Sequence, residues 1–490
     1  MPSSTGPEDV RVSTGVAGLD AIVGGGLIPG RSYLVRGSPG AGKSILGLHF
    51  LTDGAARDQT SLYINLEEPT GQIRENAASL GFDLDAVEFL DVTPDTEFFA
   101  EDRSYSVFEP DQVESGLTDR IVSRVEEADP DRVFLDPVTH MRYLTADDYQ
   151  FRKQVISFMR FLKERNATVL FTSQESTETP DHDLQFLADG IVELGQQPDG
   201  RSVSIPKFRG SDRQAGVHSV RITDEGMAVY PELVPGEYAA EFTTEAIPSG
   251  VDELDALLGG GIERGTITVV SGPTGVGKTT TGSLFLEEAA ARGETSALFL
   301  FEEGAATLRH RADALGMDLP ALVEEGTLAV EEVEPLDLSP EQFAARVRTH
   351  VEDRGADVVM LDGIQGYKLS LRGKDDALVR KLHALGRYLK NMGVTVVFVD
   401  EVDTVTGEFR ATNAGISYLA DNILFLRHVE LGGELRKSVG VLKKRVGSFE
   451  RTLREFELST EDGVVVGEPL EGMRGILRGT PTLETGDWEP

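Results

Sequence analysis

Two lysines, Lys43 and Lys278, each close a glycine-rich run. The first run is Gly37, Ser38, Pro39, Gly40, Ala41, Gly42, Lys43 and Ser44; the second is Gly272, Pro273, Thr274, Gly275, Val276, Gly277, Lys278 and Thr279. In a loop of this kind (Walker A) the glycines let backbone N–H groups turn inward and cradle phosphates. The lysine reaches the β- and γ-phosphates, and the following hydroxyl, Ser44 or Thr279, binds Mg2+. A helix that begins at the lysine adds the positive end of its dipole. Two such loops, with their lysines 235 positions apart in a chain of 490 residues, predict two nucleotide sites per subunit.

Three further sets of residues recur with the loops. Asp136 and Asp362 end the apolar runs RVFLD and VVMLD, a Walker B placement from which a carboxylate reaches Mg2+ through its water shell. Glu67 and Glu68 end SLYINLEE, and Glu302 and Glu303 end SALFLFEE, each pair beginning 24 residues after its lysine. On a strand beside the Walker strand, one carboxylate comes near the γ-phosphate and orients the attacking water. Alternation along a strand predicts that one Glu of each pair faces the nucleotide. Lys207 with Arg209, and Lys443 with Arg445, form K-x-R on late strands, in a chain of only 12 lysines against 35 arginines. Such pairs fit basic fingers that reach a neighbouring subunit's γ-phosphate.

The elements that must position these residues follow from the flanking pattern. SYLVRG, SLYINL, RVFLD and TVLFTS alternate with helical stretches such as 43–57 and 148–166. That alternation predicts an α/β fold, a mainly parallel sheet flanked by helices. After Gly190, the runs IVELG, RSVSIPKF and HSVRIT are short and separated by turn formers, and read as antiparallel strands closing one edge. The second half repeats this plan. STGVAGLDAIVGGGL matches SGVDELDALLGGGI, SLYINLEE matches SALFLFEE, RVFLDPVT matches VVMLDGIQ, LADGIVEL matches LADNILFL, and KFRGS matches KKRVGS. Blocks matched in the same order imply two copies of a whole domain. The expected organisation is a leader over 1–9, a first domain over 10–241, a second over 242–466, and a tail over 467–490 that holds the single tryptophan, Trp488.

Composition narrows the class. The net charge is −36, from 83 acidic against 47 basic side chains. An acidic, lysine-poor surface stays hydrated where salt screens charge heavily, which suggests adaptation to a salty cytoplasm. The other reading of the charge is an acidic face that docks a basic partner. Nucleic acid is disfavoured as a partner, because binding a polyanion draws on clustered basic residues. There are no cysteines, hence no disulfides or thiolate metal sites. The first residues lack the pattern of a signal peptide, and no run of 18 uncharged apolar residues suggests a membrane span. A cytoplasmic location is expected.

Taken together, TGVAGLDAIVGGGLIPG leading into GSPGAGKS, the LEE and FEE glutamates, the LAD segments, the KFRGS and KKRVGS strands, and GEPLEGMRGILRGTPT resemble KaiC. More broadly they resemble the KaiC-like ATPases of archaea and bacteria, within the RecA superfamily. The resemblance implies tandem RecA-like domains in a two-tiered homohexameric ring with ATP and Mg2+ bound between subunits. It implies a catalytic glutamate at 67 or 68 and at 302 or 303, and charges supplied in trans by the K-x-R strands. In clock-type members the second half is also an autokinase acting just before the LAD-like segment. Here that segment reads GISYLADN, so Ser417 stands at the serine acceptor position and Tyr418 replaces the threonine; the first half has Gln185 and Phe186 there. The expected function is a Mg2+-dependent ATPase working as a regulatory switch, its nucleotide state setting which protein partner binds. A nucleic-acid motor or recombinase on the same fold, and an ATP-binding scaffold with negligible turnover, are the alternatives.

Overall fold

The computed structural model describes residues 11–92, 121–144, 147–173, 182–197, 200–237, 245–402, 412, 415–431, 433–470, 473–474 and 482–483. The leader, Trp488 and most of the tail lie outside the described residues. The chain divides into two units, Met1–Glu232 and Leu233–Pro490.

The first unit is built on nine strands: β1 Ser32–Gly37, β2 Ser61–Asn65, β3 Val87–Asp91, β4 Arg132–Asp136, β5 Thr168–Thr172, β6 Gly190–Gln197, β7 Gly200–Phe208, β8 His218–Thr223 and β9 Gly226–Tyr230. They form one sheet in the order β3-β2-β4-β5-β1-β6-β7-β8-β9. Pairing is parallel from β3 to β6 and antiparallel from β6 to β9. The switch is legible in side-chain pattern. β2 and β5 are buried at every position, as central parallel strands covered by helices on both faces must be. β8 alternates buried and partly exposed residues along its first half, as a strand with one wet face does.

The second unit opens with a small antiparallel pair, β10 Ala246–Ile247 with β11 Ile262–Glu263, with the helix Asp252–Leu258 between them in the chain. Its main strands are β12 Ile267–Gly272, β13 Ser296–Leu300, β14 Leu328–Glu332, β15 Val358–Asp362, β16 Thr395–Glu401, β17 Asn422–Leu431, β18 Glu434–Lys444, β19 Arg454–Ser459 and β20 Gly463–Pro469. The order, β14-β13-β15-β16-β12-β17-β18-β19-β20, repeats the first unit strand for strand. Both sheets are therefore mostly parallel, with antiparallel strands at one edge. The segment after Glu232 belongs to the second unit: Asn391 donates to the Pro235 carbonyl at 2.8 Å.

Helices seat on these sheets by apolar stripes. In Asp375–Asn391, Leu378, Leu382, Leu385 and Leu389 recur at helical spacing and are buried in the core between helix and sheet. The helix Asp148–Glu164 buries Phe151, Val155, Phe158, Met159 and Leu162, and Asp147 caps it by accepting from the Gln150 N–H at 2.8 Å. Among the described residues no helix is long and apolar enough to cross a membrane.

One expected adjacency differs. The strand that leads to Glu67 does not lie beside β1; β4 and β5 separate them, and β2 pairs with β4, the strand of Asp136. The sheet order places the glutamates next to the Asp strand and leaves one strand, β5, between Asp and loop.

Candidate nucleotide sites

In the first unit the chain leaves β1 through the glycine-rich run and enters the helix Lys43–Ala55 at its lysine. Gly42, just before the helix, holds φ +105°, and a Cβ there would come within 2.8 Å of both Ile222 Cδ1 and Met227 Cε. Glycine is needed here for the backbone turn and for space alike. Lys43 is nearly buried and donates to the carbonyls of Gly37 and Ser38 at 2.8 and 3.1 Å. Burial lowers its pKa, opposed by the nearby Asp136 and Glu67 carboxylates. Ser44 Oγ donates to Asp136 Oδ2 at 2.7 Å, Tyr63 donates to the same oxygen at 3.2 Å, and Thr172 donates to Oδ1.

Glu67 and Glu68 lie in a bend just past the end of β2 rather than on the strand itself. Strand alternation no longer sorts them, and both line the cleft, against the expectation of one per pair. The bend is fixed from two sides. Leu66 N–H donates to the Asp136 carbonyl at 3.0 Å. Asn65 accepts from the N–H groups of Glu67 and Glu68 at 3.2 and 3.3 Å and donates to the Glu68 carbonyl. Lys43, Ser44, Glu67, Glu68 and Asp136 thus share one cleft of about 520 Å3.

The second unit repeats the arrangement with changed details. The helix Lys278–Ala291 begins at the loop lysine, after Gly277 at φ +111°. Lys278 donates to the Pro273 carbonyl at 2.9 Å, and Thr279 donates to Asp362 Oδ1 at 3.1 Å. Glu302 and Glu303 again occupy a bend, and Phe301 N–H donates to the Asp362 carbonyl at 3.1 Å. Lys278, Thr279, Glu302, Glu303 and Asp362 line one cleft of about 310 Å3.

Several differences separate the clefts. Val399 stands in β16 where Thr172 stands in β5, so Asp362 has no hydroxyl donor from that strand. Asp362 is 7% exposed, and burial pushes its carboxyl up to about 7, with Glu303 and Glu302 adding to the rise and the Thr279 hydrogen bond opposing it. Glu401, at the end of β16, lines the second cleft with one oxygen 3.6 Å from Lys278 Nζ. Arg311 also lines it and pairs with Glu303. Motif reading missed Glu401 and Arg311: the DE pair that ends TVVFVDE has no acidic match at the end of TVLFTS, and Arg311 lies outside every motif; the sequence signal available was the change from Asn76 to Arg311 at the repeat's own offset.

The K-x-R residues do not line either cleft of their own units. Lys207 Nζ donates to the Gln185 carbonyl at 2.6 Å, and Arg209 lies 3.9 Å from Asp189. Lys443 donates to the carbonyls of Ser417 and Ala420 at 3.1 and 2.6 Å, while Arg445 binds Asp421 at 3.2 Å and the Tyr418 carbonyl at 3.0 Å. In both units the lysine holds a carbonyl before or within the LAD segment and the arginine pairs with the aspartate of that segment. Burial lowers the pKa of Lys207 and of Lys443, and the arginine beside each adds to the fall.

Two sheets of this order, each with a phosphate loop between its central strand and the next helix, define a tandem RecA-like P-loop protein. A family model described as "ATPase: KaiC" matches residues 12–234 and again 247–471. The chain belongs to the KaiC family of ATPases. It is 28% identical over 487 residues to the circadian clock protein KaiC3 of Synechocystis sp., covering 96% of this chain and 94% of that one. It is 27% identical over 492 residues to the circadian clock oscillator protein KaiC of Synechococcus elongatus, covering 97% and 93%.

Proposed function

We propose that this chain binds and hydrolyses ATP with Mg2+ in both clefts and works as a homo-oligomeric, hexameric regulatory switch. The observation that carries the reading is that each unit gathers a loop lysine, a hydroxyl–aspartate pair and two glutamates into one cleft. The lysine and the inward N–H groups bind the β- and γ-phosphates. Ser44 with Asp136, and Thr279 with Asp362, meet at 2.7 and 3.1 Å where the metal of a bound nucleotide would sit. The donor set fits Mg2+ brought in with ATP. Among the described residues no cluster of three or more His, Cys, Asp or Glu could hold a metal by itself, and Mg2+ characteristically takes one or two carboxylates plus phosphate oxygens and water. Bound there, it neutralises charge on the phosphate oxygens. A glutamate of each pair orients the attacking water and takes its proton.

Lys207, Arg209, Lys443 and Arg445 lie away from their own clefts, which supports action on a neighbouring subunit's nucleotide. Ser417 is the candidate phosphoacceptor of an autokinase in the second unit; its carbonyl is held by Lys443. The regulatory partner is read as a protein from the chain's likeness to KaiC clock proteins.

The test is quadruple replacement, Glu67→Gln and Glu68→Gln with Glu302→Gln and Glu303→Gln, in the full chain. Phosphate release should fall by about 100-fold or more, the contribution of a positioned base, while ATP binding by equilibrium dialysis stays within a fewfold of the parent. Parallel loss of binding and turnover would make the glutamates structural and remove the basis for hydrolysis here.

A further inference from the structure

One helix position differs between the clefts in a way that bears on the glutamates. Arg311 lies on the helix Ala305–Ala314, and Asn76, 235 positions earlier, lies on the matching helix Thr70–Ser79. Each lines its own cleft and each stands 8 residues after the second glutamate of its pair. Arg311 Nη1 and Nη2 donate to Glu303 Oε2 and Oε1 at 2.8 and 2.5 Å. This is a two-pronged guanidinium–carboxylate pair, the strong and geometrically specific form of the contact. It is also sheltered, at 35% and 18% side-chain exposure, so solvent screens it less than a surface pair.

To act as a base, Glu303 must present an oxygen to water. The water oxygen then bonds to the γ-phosphorus, the bond to the bridging oxygen of the departing ADP breaks, and a water proton passes to the carboxylate. With both oxygens accepting from one guanidinium, that carboxylate is fixed in place and has no oxygen turned to water. Its neighbour Glu302 is engaged as well, accepting the Gly366 N–H at 3.1 Å. Asn76 carries no charge and cannot form such a pair in the first cleft.

Resting on the reading of both clefts as hydrolytic, we propose that Arg311 is a brake built into the second cleft. It is a positioning residue that holds Glu303 out of water activation, so that the second cleft turns ATP over more slowly than the first and retains its nucleotide longer. The fork releases only when a carboxylate or phosphate elsewhere competes for the guanidinium.

The experiment uses the full chain with Glu67→Gln and Glu68→Gln, so that the remaining turnover reports the second cleft. Adding Arg311→Asn should raise kcat about tenfold, part of the 100-fold or greater effect of a positioned base, with KM for ATP nearly unchanged. Arg311→Lys, a point charge without the fork, should fall between. The gain should vanish when Glu303→Gln is added. Arg311→Gln supplies a second neutral variant if the asparagine one is unstable. An unchanged kcat would overturn the brake. A lowered kcat with raised KM would do so too, making Arg311 a phosphate ligand, as would a gain that survives Glu303→Gln. If the unmodified chain binds ATP but releases no phosphate, the hydrolytic reading itself fails and the brake falls with it; turnover without an Arg311 response rejects the brake alone.

Discussion

Asp362 shows how burial, with two hydroxyl donors gone, changes a carboxylate. Its counterpart Asp136 accepts from Ser44, Tyr63 and Thr172. Asp362 is buried with Thr279 as donor, and its carboxyl rises to about 7 from an ordinary 3.8. The folded protein therefore holds a proton at this site that the unfolded chain has lost. The contribution to stability is complete below about pH 4 and disappears as pH rises through about 7. Denaturant titrations of the nucleotide-free protein at constant high salt should show stability falling between about pH 4 and 7, and Asp362→Asn should flatten that slope. An identical slope in the variant would remove Asp362 as its cause. At this scale the sequence was legible where chemistry follows a fixed spacing: the lysines, hydroxyls and strand-end carboxylates all meet in clefts. It was not legible for Glu401 or Arg311, whose approach to the site depends on how β16 and one helix pack.

Elements are joined by contacts that the strand pattern does not reveal. Arg132 opens the run RVFLD and reads as a polar strand end, yet it is 1% exposed. Its guanidinium donates to Gln59, to the carbonyls of Ser13 and Phe50, and to Asp53 at 2.8 to 3.0 Å. It thereby ties β4 to the helix Lys43–Ala55 and to Ser13, just before the helix Ala17–Ile22. Burial lowers its pKa, opposed chiefly by Asp53. The second unit has Val358 at the corresponding start of β15. Arg132→Met should cost about 3 kcal/mol, because two buried carbonyls and a carboxylate lose their donor. Urea unfolding of the variant checks this; a loss below about 0.5 kcal/mol would mean that water replaces the guanidinium freely. The strands themselves were plain in sequence, RVFLD, SYLVRG and HSVRIT to the residue. Their neighbours were less so, since parallel pairing leaves no turn between partners to mark which strands meet.

For the whole molecule, the assembly reading makes the sharpest demand. If Lys207 and Arg209 act across subunits, a ring mixing Lys207→Ala subunits with Lys43→Ala subunits contains some competent first-unit sites. Each parent alone should lose most first-unit turnover, and the mixture should recover part of it once exchange is shown by mass. No recovery despite exchange would confine the pair to its own subunit. The same measurements belong at high salt, because a net charge of −36 repels its own copies at low ionic strength. The fold also gives the K-x-R strands a mechanical setting. β6 is bonded on one side to β1, which runs into the phosphate loop, and on the other to β7, which carries Lys207; β17 is bonded in the same way to β12 and to β18, which carries Lys443. A single strand is thus the common beam between the K-x-R pair and the phosphate loop. If the pair acts across subunits, a pull on it would load the loop through main-chain hydrogen bonds alone, and a ring so wired would pass strain from site to site without any side chain serving as messenger.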